Sequence, residues 1–340
     1  ETFFGAHMLY LTYKPNNREN FLKRYVANIQ LPIAMQRDQE LPMAFYFGPN
    51  HYSTLKSCEG NFHKLVPLGG WVVGWINRLV VIPIFDLLGK YISSYGIIIL
   101  ILTIIIKLVL FPLTFKSYLS SAKMRLLKPD VDRIAHKYPK KEDALKKQQE
   151  TMSLYKKAGA SPMGGCLPIL VQFPILIAMF RFFPASIELR QQSFLWADDL
   201  SGYDSILNLP FSIPFYGDHI SLFTLLMAAA LFVSSRMSMS QTPDTGMPGM
   251  KFMTLYLMPA MMLFWFNSYA AGLSYYYFLS NLITIGQNFA TRRLVNENKL
   301  HAQMKENSKK PVKKSRFQAK LEEVARKQQQ QQRQQQRNRR

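Results

Sequence analysis

Apolar positions in this chain gather into long blocks instead of spreading along it. The longest block, Ile97 to Phe115, reads IIILILTIIIKLVLFPLTF, with a single charge at Lys107. At 1.5 Å per helical residue it is long enough to cross a hydrocarbon core of ~30 Å. Cys166 to Phe180 forms a second block that continues past Arg181, and Ile220 to Ser235 forms a third. Phe252 to Tyr269 and Leu273 to Ala290 are the fourth and fifth, parted by Ala270-Ala271-Gly272. Residues 159–180, 222–235 and 252–290 contain no charged side chain. Burying all five blocks in a soluble protein would require an outer layer of amphipathic helices, and too little chain remains to build one. The pattern predicts an α-helical polytopic membrane protein with spans at about 97–115, 166–184, 220–235, 252–270 and 273–290, in a core of residues 96–291.

Other periodicities frame that core. Within residues 1–70, FFGAHMLYLTY, YVANIQLPI and PMAFYFG alternate as strands do, between Asn- and Pro-rich turns. Some 70 residues of strand would be marginal alone, so they are expected to be the C-terminal part of a larger extracytoplasmic β-domain. In residues 71–95, Trp71, Trp75, Leu79, Ile82 and Phe85 fall on one helical side. That side suits a membrane interface or packing against the β-domain equally well. Within 116–158, Met124, Leu127, Val131, Ile134 and Tyr138 recur at spacings of three and four. After Pro139 the pattern resumes with Leu145, Met152 and Tyr155, and Gly159 ends the second helix as a C′ residue. This segment reads as a helical hairpin.

Charge then orients the chain. The net charge is +21, from 42 Lys+Arg against 21 Asp+Glu. The mean hydropathy of −0.05 hides the segregation. Most of the excess sits in two places: the hairpin 116–158, with 12 basic and 5 acidic residues, and the tail 291–340, with 16 and 4. The positive-inside rule places both in the cytoplasm. The acidic loop 185–218 and residues 1–95 then fall on the outer side, which requires an export signal or anchor upstream. The Gln- and Arg-rich tail 292–340 has the composition of a disordered segment. Two cysteines, Cys58 and Cys166, cannot build a disulfide framework.

Inside the spans, Lys107 is the informative residue. A charge there costs ~3 kcal/mol or more, and no Asp or Glu lies in any span to pair with it. A cation without a counter-ion implies water. Thr103 lies one turn before it and Thr114 two turns after. On the last span Tyr277, Ser280, Asn281, Thr284 and Gln287 share a face, and Gln172 adds an amide on the second. Such residues also serve as ordinary helix-to-helix hydrogen bonds, worth about 1 kcal/mol or less, but those do not account for an unpaired lysine. The expectation is a hydrated groove lined by these residues. No metal-binding, Walker A or nucleophile-elbow motif occurs. The S-x-x-K matches at Ser120 and Ser153 lack their companion motifs. No enzyme chemistry is expected.

The stretches KLVLFPLTFKSYLSSAKMRLLKPDVDRI, LYKKAGASPMGGCLPILVQFPILIAMF, SIELRQQSFLWADDLSGYD and MPAMMLFWFNSYAAGLSYYYFLSNLITIGQNFATRRL, with GGWVVGWINRLV, resemble the YidC membrane protein insertase family. The resemblance covers about residues 70 to 295. FFGAHML and YFGP are weaker anchors for the end of the periplasmic β-sandwich of Gram-negative members. It implies a five-transmembrane-helix insertase core with a cytoplasmic hairpin, located in the bacterial inner membrane. It further implies a positively charged groove open to cytosol and lipid. The family's groove arginine falls on Lys107, which keeps the charge but loses the bidentate fork. Family substrate contacts fall on Gln172, Tyr276 and Tyr277.

The implied partners are nascent membrane proteins and the lipid bilayer. The Sec translocon, and a ribosome met through the tail 292–340, are further candidates. Neither motifs nor resemblance implies a cofactor, a metal or a small-molecule substrate. The competing reading is a small-solute transporter or channel, which predicts inverted repeats and a polar path through the whole bilayer. No repeat is visible. A passive assembly scaffold would leave Lys107 unexplained.

Overall fold

The computed structural model describes residues 5–12, 23–30, 46–58, 60–139, 143–160, 167–214, 216–239 and 249–309. The chain divides into two compact units, Glu1–Gly48 and Pro49–Arg340. In the first, β1 (Gly5–Thr12) pairs antiparallel with β2 (Lys23–Gln30), in a register joining Gly5 to Gln30 and Thr12 to Lys23. These are the first two strands that the alternation predicts. The third expected run, residues 42–48, falls partly outside the described residues, and Tyr46 to Gly48 form no strand.

The second unit is helical. After α1 (Tyr52–Ser57) come α2 (Trp71–Ile76), a π-turn over Asn77–Val81 and α3 (Ile82–Gly89), joined into one 19-residue helix. The π-turn explains why the expected single face does not hold. Five residues wound wider than an α-turn rotate everything beyond them. Trp71 and Trp75 therefore stay exposed at 92% and 59%, while Ile82 and Phe85 turn into the core. Asn77, inside the turn, is buried and donates its amide to the carbonyls of Leu68 and Ala178.

α4 (Tyr95–Leu126) runs unbroken for 32 residues. It carries the predicted first span straight into the hairpin segment, so no structural break marks the boundary at 115–116. At 1.5 Å per residue it measures about 48 Å, well beyond a bilayer core. α5 (Lys128–Lys137) and α6 (Ala144–Lys157) complete the hairpin. α6 closes with a Schellman motif. Gly159 takes a φ of 66°, its N–H donates to the Lys156 carbonyl, and the Ala160 N–H donates to the Tyr155 carbonyl. Glycine fits there because it alone carries no Cβ penalty in the left-handed region. Of the expected α6 stripe, Tyr155 is buried but Met152 is 37% exposed, and Leu154 packs in its place.

Next come α7 (Leu167–Ala185), α8 (Leu222–Met239), α9 (Met250–Phe252), a π-turn over Met253–Leu257, α10 (Met258–Phe266) and α11 (Ala271–Leu294). A β3–β4 hairpin (Leu207–Ile213, Gly217–Ile220) precedes α8. Among the described residues Trp71–Gly89, Tyr95–Leu126 and Leu222–Met239 are long and apolar enough to cross a membrane; Leu170–Ala185 and Met253–Phe266 are shorter apolar helices. The core is centred on α11, which packs mainly on α8 and α4. Leu273 and Tyr276 on α11, Ile98 and Leu102 on α4, Phe183 on α7 and Phe223 on α8 are sealed from solvent.

The expected tail at 292–340 begins differently. α11 reaches Leu294, and α12 (Glu297–Lys309) follows it. Leu300 and Met304 bury against Tyr118, Ala122 and Met124 of α4 and Tyr155 of α6. Two apolar residues one turn apart are too short a stripe to stand out in so charged a sequence. Residues 310–340 lie outside the described residues.

Candidate functional site

Lys107 lies on α4 against α11 and is 8% exposed. Its ammonium donates to the Thr284 hydroxyl at 3.0 Å. That hydroxyl donates in turn to the Ser280 carbonyl at 2.8 Å, leaving its lone pairs for the lysine. One turn further, the Gln287 amide donates to the Lys107 carbonyl at 3.2 Å. Among the described residues no carboxylate pairs with Lys107, and two of its three N–H donors have no partner. A cation held this way keeps capacity for water or an incoming polar group.

The other expected residues divide into two sets. Tyr277 donates its hydroxyl to the Leu176 carbonyl of α7 at 3.0 Å. Tyr276 is fully buried between Phe183 and Tyr277, and among the described residues its hydroxyl has no hydrogen-bond partner. The Gln172 side chain lies beside that hydroxyl without reaching full hydrogen-bonding geometry. Thr103 and Asn281 instead satisfy their own helices. The Thr103 hydroxyl donates to the Ile99 carbonyl at 2.6 Å and the Asn281 amide to the Tyr277 carbonyl at 2.8 Å. Lys107, Ser280, Thr284 and Gln287 thus form one cluster, and Gln172, Tyr276 and Tyr277 another at the α7–α11 contact.

A third polar centre escaped the sequence reading. Asp204, 3% exposed, sits where α8 begins. It accepts from the Trp196 indole at 3.0 Å, the Ser221 hydroxyl at 2.5 Å and the Phe223 N–H at 3.0 Å. Ser221 also caps the helix by accepting from the Thr224 N–H at 3.1 Å. A carboxylate and a hydroxyl there satisfy orphan N–H groups and oppose the helix dipole. Asn267, fully buried after α10, accepts from the Ser221 N–H and donates to the carbonyls of Tyr216 and His219. His219 returns a hydrogen bond from Nε2 to the Asn267 carbonyl at 2.9 Å and stacks on Tyr203 at 3.9 Å. The signal available was Asn267, a strong hydrogen-bonding side chain inside the charge-free run 252–290.

A glycine stretch, Gly69-Gly70, and Trp71, Trp75, Arg78 and Lys56 line a cleft of about 400 Å3 at the start of the Trp71–Gly89 helix. On α10 and the turn before it, Met253, Met258 and Met261 are all about half exposed, beside Trp265.

These features meet a known family. The family model described as 60Kd inner membrane protein matches residues 87–299. The chain belongs to that family. The matched range holds Lys107, the hairpin, all three polar centres and the first turn of α12. Curated relatives are called membrane protein insertase YidC. The one from Parabacteroides distasonis is 50% identical over 321 residues, covering 90% of this chain and 51% of its own length. A Bacteroides fragilis relative is 49% identical over 320 residues, covering 91% and 52%. One from Porphyromonas gingivalis is 43% identical over 353 residues, covering 96% and 56%. The chain thus spans about half the length of the curated relatives it matches. A solved structure titled as an active YidC insertase with the first transmembrane domain resolved aligns at a TM-score of 0.46 and 24% identity, over 70% of this chain and 53% of that one.

Proposed function

We propose that this chain forms the membrane-inserting part of an insertase that helps newly made membrane proteins enter and fold in the bilayer. The observation that carries the reading is Lys107, a buried ammonium with one hydroxyl acceptor and two N–H donors left over among the described residues. Family membership and the name shared by relatives near 50% identity support it.

In this reading five spans form the core, with the hairpin and C-terminal tail in the cytoplasm and residues 1–95 in the periplasm as the end of a β-sandwich domain. The Trp71–Gly89 helix lies at the outer interface. An acidic or polar substrate tail is drawn to Lys107 in a hydrated groove bordered by Thr284, Gln287 and Ser280. This shortens the apolar barrier that the tail must cross. A membrane potential, positive outside, adds ~2 kcal/mol of pull per negative charge. The apolar part of the substrate leaves laterally over α7 and α10, where Leu170, Phe173, Met258 and Met261 are exposed. Methionines suit varied partners because their side chains repack easily. The reaction makes and breaks no covalent bond. The partners are nascent membrane proteins and lipid, with the Sec translocon beside the core and ribosomal RNA at the basic tail.

Insertion of a single-span substrate with an acidic external tail, by protein reconstituted in vesicles, tests this reading. Lys107→Ala and Lys107→Glu should both reduce insertion, the glutamate more. Wild-type insertion by both variants overturns the groove attraction. Uptake of small solutes by the same vesicles would favour the transporter reading instead.

A further inference from the structure

Outside the groove, three side chains from distant parts of the second unit aim at one point. His51 precedes α1, Asp86 lies on α3, and Glu188 lies in a short 3-10 turn after α7. The His51 Nε2 is 2.9 Å from Glu188 Oε1 and 3.8 Å from Asp86 Oδ1, and the three ligand atoms all lie within 4.8 Å of one another. Each side chain is held from behind by a hydroxyl. Ser53 donates to Asp86 Oδ2 at 2.6 Å, Ser186 donates to Glu188 Oε2 at 2.6 Å, and Thr54 bonds His51 Nδ1 at 2.8 Å.

Charge supplies an independent argument. The chain carries twice as many Lys+Arg as Asp+Glu. Yet among the described residues neither Asp86 nor Glu188 pairs with a lysine or arginine. Two carboxylates converge instead on a single imidazole nitrogen, and both act electrostatically on the nearby Tyr95 hydroxyl. A cation between the carboxylates, either the imidazolium itself or a bound metal ion that displaces its proton, offsets their mutual repulsion.

We propose that His51, Asp86 and Glu188 form a divalent-cation site. One imidazole nitrogen and two carboxylate oxygens suit a first-row ion such as Mn2+ or Zn2+. Bonds of 2.0–2.2 Å to a tetrahedral ion place neighbouring ligand atoms about 3.4 Å apart, within the spread seen here. Thr54 accepts from Nδ1–H, which leaves the Nε2 lone pair for the metal. If the ring is an imidazolium beforehand, its Nε2 proton passes to solvent on binding; if it is neutral with the proton on Nε2, the ring takes the Nδ1–H tautomer through exchange with solvent, with no net proton released. The side chains are 22–29% exposed, so an ion has access and water completes the coordination. Bound metal would tie the residues before α1 to α3 and to the end of α7. The proposal does not depend on the insertase reading.

Mn2+ is the probe, because it avoids the free thiol of Cys58. The full chain in detergent is titrated with Mn2+, and the free-ion electron paramagnetic resonance signal reports what is bound. One Mn2+ per chain is expected, displaceable by Zn2+ and removed by chelator. Glu188→Gln and His51→Gln should each weaken binding at least tenfold, and Ser53→Ala by about tenfold through loss of ligand orientation. Thermal unfolding without metal checks that each variant folds. No saturable binding by wild type, or wild-type affinity in the folded variants, overturns the site and leaves an ion-paired triad only.

Discussion

Lys107 on α4 and Thr284 on α11, 177 residues apart in sequence, are joined by a 3.0 Å hydrogen bond in the interior of the helical unit. The hydroxyl is what makes the buried ammonium tolerable, since no carboxylate among the described residues shares that duty. Replacing Thr284 by Val keeps the shape and removes the acceptor. Thr284→Val should cost about 1–3 kcal/mol, the usual loss when a buried charged group is left without its partner. Thr284→Ser should restore most of it. Thermal unfolding in detergent reads the difference, and equal stability of Val and Ser variants would show that water already serves the ammonium.

Asp204 is the hub of the polar centre at the start of α8. Three donors converge on it: the Trp196 indole, the Ser221 hydroxyl and the Phe223 N–H. Asp204→Ala strands them in a buried setting and should destabilise the chain by about 3 kcal/mol. Asp204→Asn keeps one acceptor oxygen and should lose less. Trp196 fluorescence should also change in the alanine variant. An unaltered spectrum and unfolding temperature would contradict this role.

α12 is held by Leu300 and Met304, both buried against the hairpin cluster. Truncating a buried Leu or Met to Ala costs about 2–5 kcal/mol, and an isolated helix of this length is marginal in water. Leu300→Ala combined with Met304→Ala should release the helix. Amide exchange across 297–309 should become fast while α4 and α11 keep their protection. Unchanged exchange there would mean that something else docks α12.

The hairpin carries a pH-sensitive pair. Lys137 Nζ lies 3.0 Å from Glu150 Oε1, joining α5 to α6. The hydrogen bond with Glu150 raises Lys137 above the ordinary lysine range, and the same bond holds Glu150 below the ordinary carboxylate range. The lysine contribution is present below its ordinary value and is lost as pH climbs through the raised one. The carboxylate contribution is present above its ordinary value and is lost as pH falls through the depressed one. Pairing should therefore persist between about pH 4.3 and about pH 10.4. Because both groups are exposed, molar salt should weaken it. A cysteine crosslink between α5 and α6 measures this, and Glu150→Gln should abolish both the pH and the salt response.

Which parts were legible in the chain follows from the range over which each signal acts. The apolar blocks, the helical hairpin, the Gly159 cap and the isolated charge of Lys107 are local patterns. They are determined by hydrophobic periodicity, backbone freedom and the cost of burying a charge, so residue order alone determined them. The split of the stripe 71–85 was not local in this sense, because a π-turn at Asn77–Val81 rotates the helix to bring Asn77 under the carbonyls of Leu68 and Ala178. Nor does local pattern announce that Gly96 must lack a side chain, a need set by the Phe194 ring, which a Cβ there would strike. The same holds for α12, whose two apolar residues acquire meaning only against Tyr118 and Tyr155. The partner of Lys107 and the convergence of His51, Asp86 and Glu188 depend on contacts between segments far apart in sequence, and the hub at Asp204 on partners 8 to 19 residues away that share no periodic pattern with it. Only packing decides those, since side chains distant in sequence meet where helices cross.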